Sequence, residues 1–127
     1  MISTARLAAV VATVAAATPT APLTATLTAP GHSPRVSTHW NYTVHATRSG
    51  KPVSARLTAQ IVDPFGGAHP VLLGLTTKKI VRLPFHGRFS DFIIWPRSSR
   101  GVPLELRLTV VAGSSRRVIV YSVTPKP

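Results

Sequence analysis

Two stretches of strict alternation constrain what this chain can fold into. Apolar and aromatic residues alternate with polar ones over 36–47 and again over 53–61. A period of two is typical of antiparallel strands with one buried face. The residues between them, Ser49-Gly50-Lys51-Pro52, have the composition of a turn. The sequence therefore predicts that the two stretches pair as a β-hairpin.

Shorter alternating segments follow, and Gly, Pro or Asp residues separate them. The predicted strands cover 23–29, a weak edge strand, then 71–75, 79–83, 85–95, 104–110 and 117–124. Within 85–95 the aromatic residues change parity at Ser90-Asp91, which predicts a β-bulge there. About seven short strands without helical periodicity predict an all-β fold, an antiparallel β-sandwich. A small barrel is the alternative.

The first residues are typical of a secretory signal peptide. Arg6 precedes an uncharged stretch from Leu7 to Ala17, which is too short to cross a bilayer as a helix. Small residues at Ala15-Ala16-Ala17 predict cleavage after Ala17, with sites near Ala21 and Ala25 as alternatives. We therefore expect a secreted or extracytoplasmic protein.

Three parts are expected along the chain. Residues 1–17 would form the signal-peptide helix, residues 18–35 a lead rich in Thr, Ala and Pro, and residues 36–127 the sandwich domain. The 127 residues include no Cys, which excludes a disulfide scaffold, a thiolate metal site and a cysteine nucleophile. Such a domain must be held together by its core alone.

The charge balance points to anionic partners. Fifteen Lys and Arg residues oppose three Asp and Glu residues, for a net charge of +12. A field of this sign attracts polyanions. Export would separate the protein from cytosolic nucleic acid and leave anionic wall polymers, acidic glycans and acidic lipid head groups. The plainer interpretation is that the charge only keeps a small exported domain soluble.

The candidate binding residues are basic or aromatic and are expected at the surface. They are Arg97, Arg100, Arg116 and Arg117, together with Phe65 at a Gly-rich loop tip and Trp95 before a proline. Trp40 and Tyr42 lie on the apolar face of the strongest strand, so we expect them in the core.

Little in the sequence indicates catalysis. The three carboxylates are Asp63, Asp91 and Glu105, and Glu105 is expected to face solvent near Arg107. No nucleophile elbow is present, and we predict no catalytic residue and no cofactor. The alternative function is a small-ligand or metal-binding domain that uses His69, His86 and Asp91. His39 and His45 share a face, but lie roughly 20 Å apart on one strand and cannot bind the same ion.

Trp40 to Ile61, WNYTVHATRSGKPVSARLTAQI, resembles the central hairpin of secreted bacterial immunoglobulin-like domains. There, an aromatic-bearing strand ends in Gly-Lys-Pro-Val and a small residue before a second alternating strand. Leu104 to Val123 is similar to their closing strands. The resemblance implies an immunoglobulin-like sandwich of about seven strands in an extracytoplasmic setting, and it carries over no catalytic residue. We predict a non-enzymatic accessory module of the cell envelope that docks on an anionic polymer or a protein partner.

Overall fold

The chain forms antiparallel strands over most of its described length. The computed structural model describes residues 21–127. Among these residues the strands are β1 (Leu23–Thr28), β2 (His39–Arg48), β3 (Lys51–Pro52), β4 (Ser54–Val62), β5 (Ala68–Pro70), β6 (Leu83–His86), β7 (Arg88–Ile94), β8 (Leu104–Ala112) and β9 (Ser115–Val123). The all-β sandwich predicted from the sequence is confirmed. The predicted signal-peptide helix over residues 1–17 lies outside the described residues.

The strands make two layers that enclose one core. One layer has the order β1-β2-β7, and the other has the order β6-β4-β8-β9 with β5 on the far part of β4. Inward positions of β2, β4 and β8 supply most of the buried side chains. The fully buried members include Tyr42, Val44, Ala46, Leu57, Ala59, Leu106, Leu108 and Val110. Burying these alternate positions is the main stabilising term, since the described chain contains no disulfide.

The predicted pairing of the two alternating stretches is wrong, although both stretches are strands. β2 turns at Ser49-Gly50 and pairs with the two residues of β3. The chain then crosses at Val53, and β4 pairs with β5, β6 and β8 in the other layer. Both strands bury one face, and from opposite layers they contribute to the same core.

The two layers join at Gly87, between the end of β6 and the start of β7. Only His86 and Arg88 pair between β6 and β7. Gly87 has a φ of +70°, and a Cβ there would lie 2.5 Å from Cβ of Pro52. The register of β7 on β2 continues without interruption through Ser90-Asp91, so the predicted bulge is wrong. Asp91 occupies an inward position that an apolar residue would ordinarily take.

The segments 71–75 and 79–83 are not strands, contrary to the prediction. Residues 71–82 form a loop, called the seam loop below, in which only Leu72 and Lys79 make a β-bridge. The loop fills the opening between β4 and β7. Ala59 N donates to Ile80 O at 3.0 Å, and Gly74 N donates to Asp91 Oδ2 at 3.0 Å. The irregular path follows from this filling role.

Two arginines fasten the outer edges of the layers to each other. The Arg48 guanidinium donates to Ala21 O and Ala112 O, each at 2.8 Å, and to Ser115 Oγ at 3.0 Å. Arg117 Nε donates to Leu23 O at 2.9 Å. β1 therefore belongs to the sandwich, although it lies within the segment 18–35 that was predicted as a lead. Within residues 21–127, no helix has the length and apolar character needed to cross a bilayer.

A candidate anion-binding cleft

Three arginines line a cleft at the end of the sandwich where β2 and β8 begin. They are Arg35, from the β1–β2 connection, and Arg97 and Arg100, from the short helical turn Arg97–Ser99 and its end. Val36, Ser37 and Pro127 complete the lining, and the cleft encloses about 370 Å³. All three arginines are exposed. We call this site the arginine cleft.

Backbone hydrogen bonds hold the walls of the arginine cleft. Each joins two different segments of the chain, so the main chain is positioned before any ligand arrives. They are Val36 N to Lys126 O at 2.9 Å, Ser37 N to Trp95 O at 2.9 Å, and Gly101 N to Pro125 O at 2.8 Å. Ser99 Oγ also donates to Pro96 O at 2.6 Å and tightens the turn between Arg97 and Arg100. A ligand would need to order only the arginine side chains, which lowers the entropic cost of binding.

No acidic side chain of the described residues lines the cleft. Among residues 21–127, no carboxylate makes an ion pair with its arginines, and their guanidinium groups make no hydrogen bond to protein. The three acidic side chains are engaged elsewhere. Asp63 pairs with His69 at 2.8 Å, Glu105 with Arg107 at 3.6 Å, and Asp91 accepts from Gly74 N. Planar guanidinium groups bind carboxylate and phosphate oxygens in pairs.

The four arginines proposed from the sequence do not form one surface. Arg97 and Arg100 lie in the cleft, at the end where Leu104 pairs with Val123. Arg116 and Arg117 lie beside the turn at the other end of β8, roughly 27 Å away along the strand. Arg117 also donates to a backbone carbonyl and helps to close the sandwich.

Arg35 is the residue of the cleft that the sequence did not indicate. It lies 62 positions before Arg97, in a segment without a recognisable motif. Its carbonyl accepts a hydrogen bond from Thr38 Oγ1 at 2.9 Å, and its backbone bridges to Lys126. Only this tertiary pairing brings it to the turn that carries the other two arginines.

The two aromatic candidates, Phe65 and Trp95, differ in their exposure to solvent. Phe65 is 97% exposed at the tip of the β4–β5 turn, as expected. Asp63 Oδ1 fixes that tip, because it accepts from Phe65 N at 2.8 Å and from Gly67 N at 2.9 Å. Trp95 is 0% exposed, so its predicted surface position is wrong. It continues the inward parity of β7 and packs edge-on against Trp40, with ring centroids 5.5 Å apart.

The residues of the alternative metal or ligand site lie apart. His69 pairs with Ile61, and His86 pairs with Ser54, at positions of β4 roughly 24 Å apart. Asp91 faces inward on β7. Within the described part of the chain, no three His, Asp or Glu side chains come together in a way that could hold a metal ion.

One polar pair and one buried hydroxyl group lie near these residues. Ser54 Oγ lies 3.0 Å from His86 Nδ1 at the surface, on the opposite end of β4 from the Asp63–His69 pair. Burial, with a smaller contribution from Asp91, raises the pKa of the Tyr42 hydroxyl above its usual range. Burial therefore favours the protonated form of the Tyr42 hydroxyl.

Comparison with known proteins finds a structural likeness but no family match. No protein-family model matches the chain, and no curated protein matches it. Among solved structures, a DUF4466 family protein from Parabacteroides merdae is similar, with 15% sequence identity and a TM-score of 0.45. The match covers 83% of this chain and 44% of that one, so the chain spans less than half of that protein's length.

Proposed function

We propose that this is an exported, non-enzymatic, immunoglobulin-like protein of the cell envelope that docks on an anionic polymer through the arginine cleft. The observation that carries the proposal is the convergence of Arg35, Arg97 and Arg100 on one cleft that no acidic side chain of the described chain lines. The two antiparallel layers support the immunoglobulin-like assignment. The signal-peptide pattern of residues 1–17 supports export.

The chemistry of the cleft favours an extended polymer with repeated anionic groups. Each guanidinium can bind two oxygens of a phosphate or carboxylate. Three such groups on a fixed backbone framework can bind successive units of one chain, while the wider positive field increases the rate of encounter. Exposed charge pairs are screened by salt, so binding through this site must weaken as ionic strength rises.

A retention experiment with isolated envelope tests the assignment. The purified protein is compared with the triple variant Arg35→Gln/Arg97→Gln/Arg100→Gln at low and high salt. The control is Arg88→Gln/Arg107→Gln/Arg116→Gln, which removes the same charge from strand positions outside the cleft. We expect saturable, salt-sensitive retention that the cleft variant loses and the control keeps. Equal loss in both variants would make retention a matter of net charge, and no retention of the unaltered protein would overturn the proposal.

The proposed export has its own test. The intact mass of the protein recovered from its host should correspond to a chain that begins at Thr18, after cleavage at Ala17. Substituting Ala15 and Ala17 with large residues should leave the precursor uncleaved, because the peptidase requires small side chains there. A full-length chain found in the cytosol of the unaltered strain would contradict export without bearing on the chemistry of the cleft.

A further inference from the structure

The seam loop exposes apolar side chains that the core does not use. Leu75 is 78% exposed and Leu72 is 42% exposed. Both line a shallow groove of about 210 Å³ with Phe92 and Ile94 of β7, and Ile94 is itself 39% exposed. These side chains form one exposed apolar cluster rather than scattered single residues, and such clusters are candidates for contact with a membrane or a partner.

The same loop is basic and has no acidic residue. Lys78, Lys79 and Arg82 are all exposed, and residues 70–82 include no Asp or Glu. Lys79 pairs with Leu72 in the β-bridge, so a basic residue lies next to the apolar groove. Asp91, the acidic side chain bonded to the loop, faces inward and accepts from Gly74 N. The complementary surface is therefore apolar at its centre and anionic around it.

Local hydrogen bonds give the loop a defined shape. Leu73 N donates to Lys78 O at 2.8 Å, and Thr76 N donates to Leu73 O at 2.9 Å. Thr76 Oγ1 donates to the same carbonyl at 2.6 Å and accepts from Lys78 N at 3.2 Å. Leu75 lies in the tight turn that these bonds close. The backbone that carries Leu75 is therefore already ordered before a partner binds.

We propose that the seam loop docks on an anionic lipid bilayer. Leu75 and Leu72 enter the boundary between head groups and acyl chains, while Lys78 and Lys79 contact the phosphate groups. Apolar insertion combined with basic residues is the way in which peripheral segments bind anionic membranes. Among the described residues, this surface shares no lining residue with the arginine cleft, and the proposal does not depend on the function assigned to that cleft.

Vesicle sedimentation tests the proposal. The purified protein is mixed with phosphatidylcholine vesicles that contain or lack phosphatidylglycerol. We expect binding to the anionic vesicles only, weakened by salt. Lys78→Gln and Lys79→Gln should each reduce the affinity by about five-fold, and Leu72→Ser/Leu75→Ser by about ten-fold or more. The control Val118→Ser/Val120→Ser removes exposed apolar side chains from β9 and should bind normally.

Fluorescence reports whether the loop enters the bilayer. Both native tryptophans are buried, so the emission of a Leu75→Trp variant should shift to the blue on anionic vesicles while the unaltered protein does not. Unchanged emission, or no vesicle binding, would overturn the proposal. Vesicle binding lost in the cleft variant but kept in Leu72→Ser/Leu75→Ser would also overturn it. A dimer in light scattering that the leucine substitutions dissociate would assign the groove to a second copy of the chain instead.

Discussion

The arginines of this protein have two different roles, and the contrast separates structure from function. Arg48 and Arg117 donate to backbone carbonyls and join β1 to the β8–β9 hairpin. Arg35, Arg97 and Arg100 make no such bond within the described residues and converge on one cleft. The net charge does not distinguish these two groups of arginines. Only the hydrogen-bond partners show which arginines stabilise the fold and which are available to a ligand.

The largest effect expected from this contrast is at Arg48. Arg48→Ala removes three hydrogen bonds from a charged donor and leaves the carbonyl of Ala112 without that partner. We expect a loss of about 3 kcal/mol in the free energy of unfolding, because bonds to charged donors are stronger than neutral ones. Urea denaturation measures this loss. A change below about 1 kcal/mol would show that the closure does not depend on this side chain.

A smaller loss is expected at Arg117, which makes one bond across the same edge. Arg117→Ala should reduce the free energy of unfolding by about 1 kcal/mol, since Nε donates only to Leu23 O outside its own strand. Arg116→Ala is the matched control, because that neighbouring side chain makes no hydrogen bond to any other residue in 21–127 and its loss should cost less than about 0.5 kcal/mol. Equal losses in the two variants would contradict a structural role specific to Arg117.

The alternation in the sequence was enough to predict the core and most strand bounds. Trp40 and Tyr42 are buried as expected, and Glu105 lies near Arg107 at the surface. The pairing of strands was not predictable in the same way, because β2 and β4 each bury one face whether they pair or lie in opposite layers. The chain passes from one layer to the other at Val53, and the sequence of the turn does not indicate this.

The candidate site shows the same division between local and tertiary information. Arg97 and Arg100 are close in sequence and stay close in the structure, so composition found them. Arg35 joins them only through the pairing of its segment with Lys126. The bulge at Asp91 was predicted because a polar residue on the inward parity of β7 interrupts the apolar pattern. Trp95 was placed at the surface because it precedes Pro96, although it continues that inward parity. At this inward position the Asp91 carboxylate accepts from Gly74 N and holds the seam loop.

The cleft arginines should behave in the opposite way to Arg48. Arg97→Ala and Arg100→Ala should each change the free energy of unfolding by less than about 0.5 kcal/mol, because exposed side chains away from structural bonds contribute little. Thermal and urea denaturation measure this directly. A loss of about 2 kcal/mol or more in either variant would place that arginine among the structural ones and remove it from the proposed ligand site.

The smallest effect concerns Asp63, one of the three acids that are kept away from the cleft. The hydrogen bond from His69 and those from Gly67 and Phe65 N–H groups lower the pKa of its carboxyl group. A folded-state pKa below the ordinary value means that ionised Asp63 stabilises the fold above about pH 4, and that this contribution is lost as the pH falls through the folded pKa.

Asp63→Asn should therefore be less stable than the unaltered protein at neutral pH, and the gap in the free energy of unfolding between the two proteins should narrow toward about pH 2. Denaturation at both pH values measures the gap, and an equal gap at the two would show that the β4–β5 turn does not depend on the charge. Because Asp63 is committed to this turn, its substitution should leave retention through the arginine cleft unchanged.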